Sequence, residues 1–507
     1  MKWRTRLLVG LASVAGGYAL LPYDSPIRRT ARSTRFGLIT TLEYKRLKWR
    51  GLDEDKDELS KVHSNTARRL YTLCADQGGI YTKMGQHIST VGRSIPGEYA
   101  TELAKLKDQA KYDSFDDVKR TIREDFHAPI DTIFSSFDEV PIASASLAQV
   151  HHGVLKQTEQ PVAVKVQHPR VRASISSDLR TFRFVTNVLV PYFFNGLDLH
   201  WIVEEFERDL RMELDFRIEA NNAIRASGAF RDDPLVKVPE IYAGLTSERV
   251  LTMEFIHGVK IEHLSEIPSA PKEKVIAALE NAVAKMIFVD GFVHGDLHTG
   301  NMLITPNDKT GFNLVLLDHG LYRELEEQFR TSYCLLWRSL VAGDVDGLTE
   351  AVTGMGLPGT AEMFSKVFAK RKNSDEEPRR HGFHEESGHE RKKKSRPKMN
   401  TQEVNKFLED LPKELIVIMR TTNVVAAIGK SLGEDGNQFQ VNARYAIKGM
   451  HKEDKSHLSL WKDQLLFETT MVGFSTVAVL MDLKQRLEKV LRIQPQETEA
   501  APFPRPF

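Results

Sequence analysis

Cysteine is almost missing from this chain: Cys74 and Cys334 are its two in 507 residues. That excludes a disulfide framework and a zinc cage, and the apolar helical surroundings of both point to buried thiols. Charge of one sign is missing as well. Seventy Lys and Arg against 69 Asp and Glu leave +1, so no global field draws the chain to nucleic acid or acidic lipid, and no nucleic-acid partner is expected. Long apolar runs are also lacking. Leu7–Leu21 and the uncharged Thr469–Met481 fall short of the ~17–25 residues that a membrane-crossing helix needs. No internal repeat is present, which excludes a solenoid. With 41% hydrophobic and 27% charged residues, what remains is an ordinary globular chain with room for about two to four domains.

What is present begins at a marked N-terminus. MKWRTRLLVGLASVAGGYALLPYDSPIRRTARSTRF carries Lys2, Arg4 and Arg6, an apolar run, then Arg28, Arg29, Arg32 and Arg35, with Asp24 the one acid before Glu43. A secretory signal peptide starts in the same way, but here the arginine-rich, acid-poor stretch continues well past the apolar run, as in a mitochondrial presequence. A disulfide-poor chain gains nothing from an oxidising compartment. Residues 1–40 therefore read as mitochondrial targeting, either cleaved or kept as an inner-membrane anchor.

From Leu59 to Phe126 the pattern is helical, with Gly78–Gly79 and Pro96–Gly97 as breakers. Pro141–Val166 alternates β-type residues around the turn KQTEQP, as in a hairpin. Long helices follow over Ser174–Val190 and His200–Asn222, then VKVPEIYAGLTSERVLTMEFI as two further strands, then mainly helix around a short strand pair at HGDLHTGNMLITP and FNLVLLDHG. Strands first and helices later predict a two-lobed α+β architecture with a helical larger lobe. Residues 371–400 are polar and charged, a disordered insertion; His381, His384 and His389 as metal ligands, or RKKKSRPK as a basic address, are the alternatives to a solvated linker. Residues 491–507 form a tail. The apolar segments Phe182–Phe194, Leu411–Gly433 and Thr469–Met481 are read as core rather than as lipid-facing surface.

Chemistry concentrates in VHGDLHTGN and LLDHG. Asp296 and Asn301 are five apart, the spacing at which kinase catalytic loops place their base and a metal-binding asparagine. Asp318 lies seventeen residues beyond Asn301 and ends the apolar run LVLL, which puts a carboxylate at the mouth of a buried strand. Asp318 would hold the metal, Asn301 would be its second ligand and Asp296 the base. Either segment alone reads equally well as a turn; both together, in this order, point to phosphoryl chemistry. Upstream, Val162-Ala163-Val164-Lys165-Val166 alternates with period two, so Ala163 and Lys165 share a face. A small residue against adenine and a lysine reaching the phosphates need that arrangement. The lysine needs a carboxylate partner, and RMELDFRIEANN offers Glu213, Asp215 and Glu219. Glu213 and Glu219 stand about 240° apart on a continuous helix and cannot both face one lysine; a solvated acidic face is the alternative.

These segments together resemble the UbiB/aarF-domain family of atypical protein-kinase-like proteins, nearest its mitochondrial branch. The resemblance spans about Arg68 to Leu340, on YTKMGQ, the ASAS loop before QVH, VAVK, ELDF with EANN, MEFIHG, HGDLHTGN and DHG. It implies a kinase-like two-lobed fold with a helical N-terminal extension (41–130), an N-lobe (131–260) and a mainly helical C-lobe (261–490). It further implies ATP and Mg2+ as cofactors, with Asp296, Lys165 and Glu219 catalytic, Lys165 paired to Glu219, and Asn301 and Asp318 on the metal. Ala143, Ser144, Ala145, Ser146, Ala163, Lys165, Glu254 and Ile256 would bind the nucleotide. Lys83 and Gln86 of the extension would reach the site near Glu213 and Asp215 as regulatory residues, covering the cleft where a kinase docks a peptide. A lipid or quinone-related partner and an inner-membrane surface follow from the same resemblance. Leu297 and Thr299 stand on either side of His298 where the family commonly has proline, which puts the rigidity of that loop in question. HGDLHTGN also resembles the catalytic loop of aminoglycoside- and choline-type phosphotransferases, so a small-molecule acceptor stays open, as does a nucleotide-binding scaffold without turnover. The loop PIASASLAQVHHG has alanine and serine where a phosphate loop has glycine. Each such exchange narrows backbone freedom, so a stiffer lid using the Ser144 and Ser146 hydroxyls is expected.

Overall fold

A computed structural model describes residues 22, 25–90, 96–108, 112–189, 200–361, 411–434 and 436–451. The apolar run 7–21, residues 190–194 of the aromatic segment, the polar stretch 371–400, the run 469–481 and the tail lie outside the described residues.

Helices α1 (Pro26–Trp49), α2 (Lys56–Gln77), α3 (Ile80–Thr90), α4 (Gly97–Leu103) and α5 (Phe115–Phe126) lead into strands β1 (Phe134–Phe137), β2 (Ala143–Ser144), β3 (Ala148–Leu155) and β4 (Pro161–Gln167). Helices α6 (Pro169–Phe184), α7 (His200–Glu213) and α8 (Phe216–Ala229) follow, then β5 (Val236–Lys237), β6 (Val250–Glu254) and β7 (Val259–Lys260). Next come α9 (Lys272–Ala284), β8 (Phe292–His294), β9 (Met302–Asn307), β10 (Gly311–Leu316), α10 (Glu327–Ala342), α11 (Val345–Gly354), α12 (Lys413–Leu432) and α13 (Gln438–Met450). Two compact units result: residues up to Ala270 with Asp296–Tyr322, and Pro271–Gly295 with the residues from Arg323 on. The architecture is α+β and mostly helical.

Local signals set the boundaries. Ser25 caps α1 through Arg28 N, with Pro26 opening the helix; Asp55 caps α2 through Asp57 N and Glu58 N. Helix α2 stops where Gly78 adopts φ +63°, a conformation that favours glycine. One boundary departs from expectation: His200–Asn222 is not continuous. The chain breaks at Leu214, and Asp215 in extended conformation caps α8 through Arg217 N.

Sheet order in the first unit is β1-β3-β4-β6, with β2 also pairing antiparallel to β3; a second sheet runs β5-β10-β9-β7. The two strands expected within VKVPEIYAGLTSERVLTMEFI belong to different sheets. Strand β6 pairs antiparallel with β4, whereas β5 pairs parallel with β10. Strand β5 is two residues long, with Pro239, which has no N–H for a ladder, two positions beyond it. The alternation of β4 sorts its faces: Val162, Val164 and Val166 bury against Val118 and Ile122 of α5 and Phe134 of β1. Ala163 packs on the other side, with Phe216, Ala220, Leu251 and Met253.

A further core joins α3, α6 and α7 through Ile80, Met84, Val171, Leu179, Phe206 and Leu210. Helix α1 is fastened to this group by polar contacts. Arg29 donates to both carboxylate oxygens of buried Asp178, at 3.0 and 2.6 Å, and Ser33 Oγ lies 2.6 Å from Tyr81 Oη. Phe182 packs edge-on to Tyr81, while Phe184 is exposed.

In the second unit, α12 is long and apolar enough to cross a membrane by length and composition, and it buries Leu415, Ile418, Val425 and Ile428 along one stripe. Thr421 on that stripe donates to His294 O at 3.1 Å. Arg330, 2% exposed, donates to the carbonyls of Phe288 and of Gly449. Cys74 and Cys334 are buried free thiols, and burial pushes the pKa of each up to about 12.

Candidate active site

Lys165 sits in the middle of the first sheet, opposite Val150 of β3 and Leu251 of β6. Its Nζ lies 2.8 Å from both carboxylate oxygens of Glu219, in the first turn of α8, and 3.4 Å from Asp318 Oδ2. The Phe216 ring lies 5.2 Å from the same ammonium, a distance at which the ring face attracts a cation. Burial pushes Glu219 up to about 7 against the pull of Lys165, and the neighbouring Asp318 and Glu213 charges add to the rise. Burial opposes the Lys165 charge too, but Asp318 and Glu219 outweigh it and hold the ammonium above the ordinary lysine range.

A second lysine stands beside the first. Lys83 Nζ is 2.7 Å from Glu213 Oε2 and 3.9 Å from Asp296 Oδ2. Burial works against its charge; Glu213, Asp296 and Asp318 together raise it above the usual value. Burial in turn raises Glu213, which Lys83 only partly offsets. Lys83 belongs to a helix packed without slack: a Cβ on Gly85 would meet Leu106 Cδ1 at 2.4 Å and Cys74 Sγ at 3.2 Å. Two expected members stand apart from the cluster. Gln86 donates to Leu106 O at 3.1 Å. Asp215 is taken by its capping role and by Arg217, 2.7 Å away, whose hydrogen bond lowers its pKa.

The ladder of the second sheet brings the two metal candidates together. Leu316 is opposite Met302, and one step further Leu317 N donates to Asn301 O at 2.9 Å, so Asn301 and Asp318 flank the same end of the β9–β10 pair. Asp318 Oδ1 accepts from Gly320 N at 2.9 Å, and Asn301 Nδ2 donates to Asp296 O at 3.4 Å. At Thr299, burial tends to raise nearby Glu262, but hydrogen bonding led by Thr299 takes it below the ordinary value. His298 Nδ1 accepts from Gly300 N at 3.1 Å in the same loop.

Four carboxylates (Glu213, Glu219, Asp296, Asp318) gather around two ammonium groups here. Asp318 and Asn301 supply hard oxygen donors, and among the described residues no group of three or more His, Cys, Asp or Glu could hold a metal alone. That fits Mg2+, which takes one or two carboxylates and completes its shell with phosphate and water; it does not fit a dedicated protein cage.

In the alanine-rich segment Ala143 and Ser144 form strand β2 against Val150 and Gln149. Ala145 N donates to Ala148 O at 2.8 Å, so the segment is a stapled hairpin rather than an open loop. Ser144 Oγ is buried and makes no hydrogen bond, and Ser146 is buried. At the far side Glu254 ends β6; its carboxylate pairs with Lys237 and accepts from Glu240 N, while Ile256 is half-buried.

Other residues hold the site without having stood out in the sequence. His168 Nε2 lies 3.1 Å from Ala145 O and its Nδ1 2.8 Å from Asp113 Oδ2; Asp113 also pairs with Arg170. Asn222 donates to His319 O at 2.9 Å, joining the helix of Glu219 to the turn of Asp318. His319, 1% exposed, stacks on Tyr322 and bonds its hydroxyl and Leu316 O. The second asparagine of EANN was the one signal that could have singled out Asn222.

A strand lysine clasped by a helix carboxylate, opposite an Asp/Asn/Asp set, is the arrangement of a kinase-like protein. Residues 105–352 match the ABC1 atypical kinase-like domain. The chain is 33% identical over 450 residues to AarF domain-containing protein kinase 1 of Mus musculus, covering 88% of this chain and 84% of the mouse protein. It is 29% identical to the ABC1 family protein MCP2 homolog of Schizosaccharomyces pombe, over 86% and 81% of the two chains. Among solved structures, the Rv3197–erythromycin complex from Mycobacterium tuberculosis aligns with a TM-score of 0.48 at 23% identity, covering 76% of this chain and 97% of that one. The chain belongs to the ABC1/AarF family of atypical kinase-like proteins.

Proposed function

We propose that this chain binds ATP with Mg2+ and either hydrolyses it or transfers its terminal phosphoryl group, in support of lipid or coenzyme Q homeostasis at the mitochondrial inner membrane. The observation that carries the reading is Lys165, held 2.8 Å from Glu219 and 3.4 Å from Asp318. A lysine so placed offers a fixed ammonium to the α- and β-phosphates, and Glu219 keeps it from swinging away. Ala163 leaves room for a purine on the same face, with the backbone from Glu254 to Ile256 at its edge. The Ala143–Ser146 hairpin covers the phosphates as a stiff lid, with the Ser144 hydroxyl still lacking a partner. Asp318 and Asn301 would hold Mg2+, which would supply positive charge at the phosphates. Asp296 would orient the acceptor or water.

Lys83 lies 3.9 Å from Asp296, so any acceptor must share that carboxylate with an ammonium. This favours a small acceptor or water over a peptide, with residues 41–130 as a cover. A nucleotide-binding scaffold without turnover remains the competing reading, since the same cover restrains chemistry. The mitochondrial assignment is supported by the basic, acid-poor N-terminal sequence.

The test is the melting temperature of purified wild-type chain and Asp318→Asn with and without Mg-ATP. Stabilisation of the wild type alone is expected. A variant stabilised equally would remove Asp318 from the site, and tight binding without turnover on vesicles and candidate lipids would establish the scaffold.

A further inference from the structure

The solvent face of α1 has a composition that the nucleotide site does not explain. Ile27, Leu38, Leu42 and Trp49 are 61, 45, 61 and 79% exposed. At about 100° per residue the four fall within an arc of about 60°, a stripe that runs nearly the whole ~36 Å of the helix. The other exposed side chains of α1 and its C-cap are Pro26, Arg35, Arg46, Lys48 and Arg50. No acid interrupts the face: Glu43, the one acid of α1, is paired with Arg69. The helix cannot roll to hide the stripe. Its opposite side is fixed by Arg29 to Asp178, by Ser33 to Tyr81, and by Tyr44 Oη, 2.6 Å from His63 Nδ1 and 2.9 Å from Tyr99 Oη.

We propose that this face of α1 lies on the surface of an anionic lipid bilayer, with the four apolar side chains at the acyl boundary and the flanking cations among the phosphates. An exposed apolar stripe flanked by Lys and Arg, with no exposed acid beside it, is what an interfacial helix requires. A second copy of the chain fits less well, because pairing two such faces would set cation against cation. Chain order points the same way: the apolar run Leu7–Leu21 ends five residues before α1 begins, so the sequence delivers its most lipid-compatible stretch to the start of this helix. The inference rests on the membrane part of the proposed function and is independent of the nucleotide part.

Cys74 and Cys334 are buried, so Leu42→Cys in the full-length chain can be labelled selectively with an environment-sensitive fluorophore. On vesicles of phosphatidylcholine with phosphatidylglycerol, the probe should shift to the blue and be quenched by lipids carrying a nitroxide near the headgroup. The shift should weaken on pure phosphatidylcholine and with added salt. Arg35→Glu/Arg46→Glu/Lys48→Glu should lower probe insertion by roughly tenfold or more, since each cation lost near an anionic surface costs roughly fivefold, while the melting temperature stays unchanged. A chain that floats with the vesicles while the probe stays in water would overturn the assignment of α1 and leave the membrane reading intact. A chain that does not bind vesicles would overturn both. A blue shift without lipid that grows with protein concentration would give the face to a second copy and also overturn the proposal.

Discussion

Replacing Glu219 by glutamine keeps the shape of the carboxylate and removes its charge and its titration. Glu219 is 4% exposed, and burial lifts its pKa from 4.5 to about 7 despite Lys165. A carboxyl whose pKa is higher in the folded chain than in the unfolded one holds its proton more tightly when folded. The stability from that proton is whole below about pH 4.5 and is lost as the pH rises through about 7. At 1.36 kcal/mol per pH unit the interval amounts to about 3 kcal/mol. Glutamine has no such contribution. The nucleotide-free wild type should therefore lose about 2–3 kcal/mol more than Glu219→Gln between pH 5 and pH 8, read from urea midpoints at the two pH values. An equal loss in both proteins would refute the reasoning, since it would mean that the carboxyl ionises as easily inside the chain as outside it.

Lys83→Met leaves Glu213 buried without its ammonium. A loss of about 3–5 kcal/mol is expected at pH 8, shrinking as the pH falls because burial makes Glu213 easier to protonate in the folded chain, again by urea unfolding. Arg29→Met strands buried Asp178 and should cost a similar ~3–5 kcal/mol; a double-mutant cycle with Asp178→Asn should recover part of it, and full additivity would deny the pair. Ala145→Gly frees the backbone by about 0.5–1 kcal/mol, which should change ATP affinity roughly two- to fivefold in isothermal titration. No change would make the hairpin merely structural.

Much of the site could be read from short stretches. VAVK announced its two faces through the period of a strand, and β4 buries the valines on one side with Ala163 and Lys165 on the other. The breakers Gly78–Gly79 and Pro96–Gly97 fall at helix boundaries, the first because both glycines adopt positive φ, which is a local property. The partners of charged groups were another matter. Glu213 and Glu219 do serve different lysines, but the reason is a chain break at Leu214 rather than angular separation on one helix. Asp215 looked equivalent to its neighbours and became a cap; Gln86, three residues after Lys83, faces Leu106. Nothing in the string VQHP announced that His168 would hold Ala145 and Asp113, since neither lies near it in sequence.

The sequence by itself determined the residue types, their spacing and the turns, and with them the family and the order of its parts. These follow from side-chain chemistry and from φ/ψ preferences that act over a few residues. Only the tertiary structure decided which charge meets which. Lys165 meets Glu219 across 54 positions and Asp318 across 153, distances over which local preference has no hold. Sheet register and the burial of the α3–α6–α7 and β4–α5 cores choose those neighbours, and the low dielectric they create then sets each group's charge.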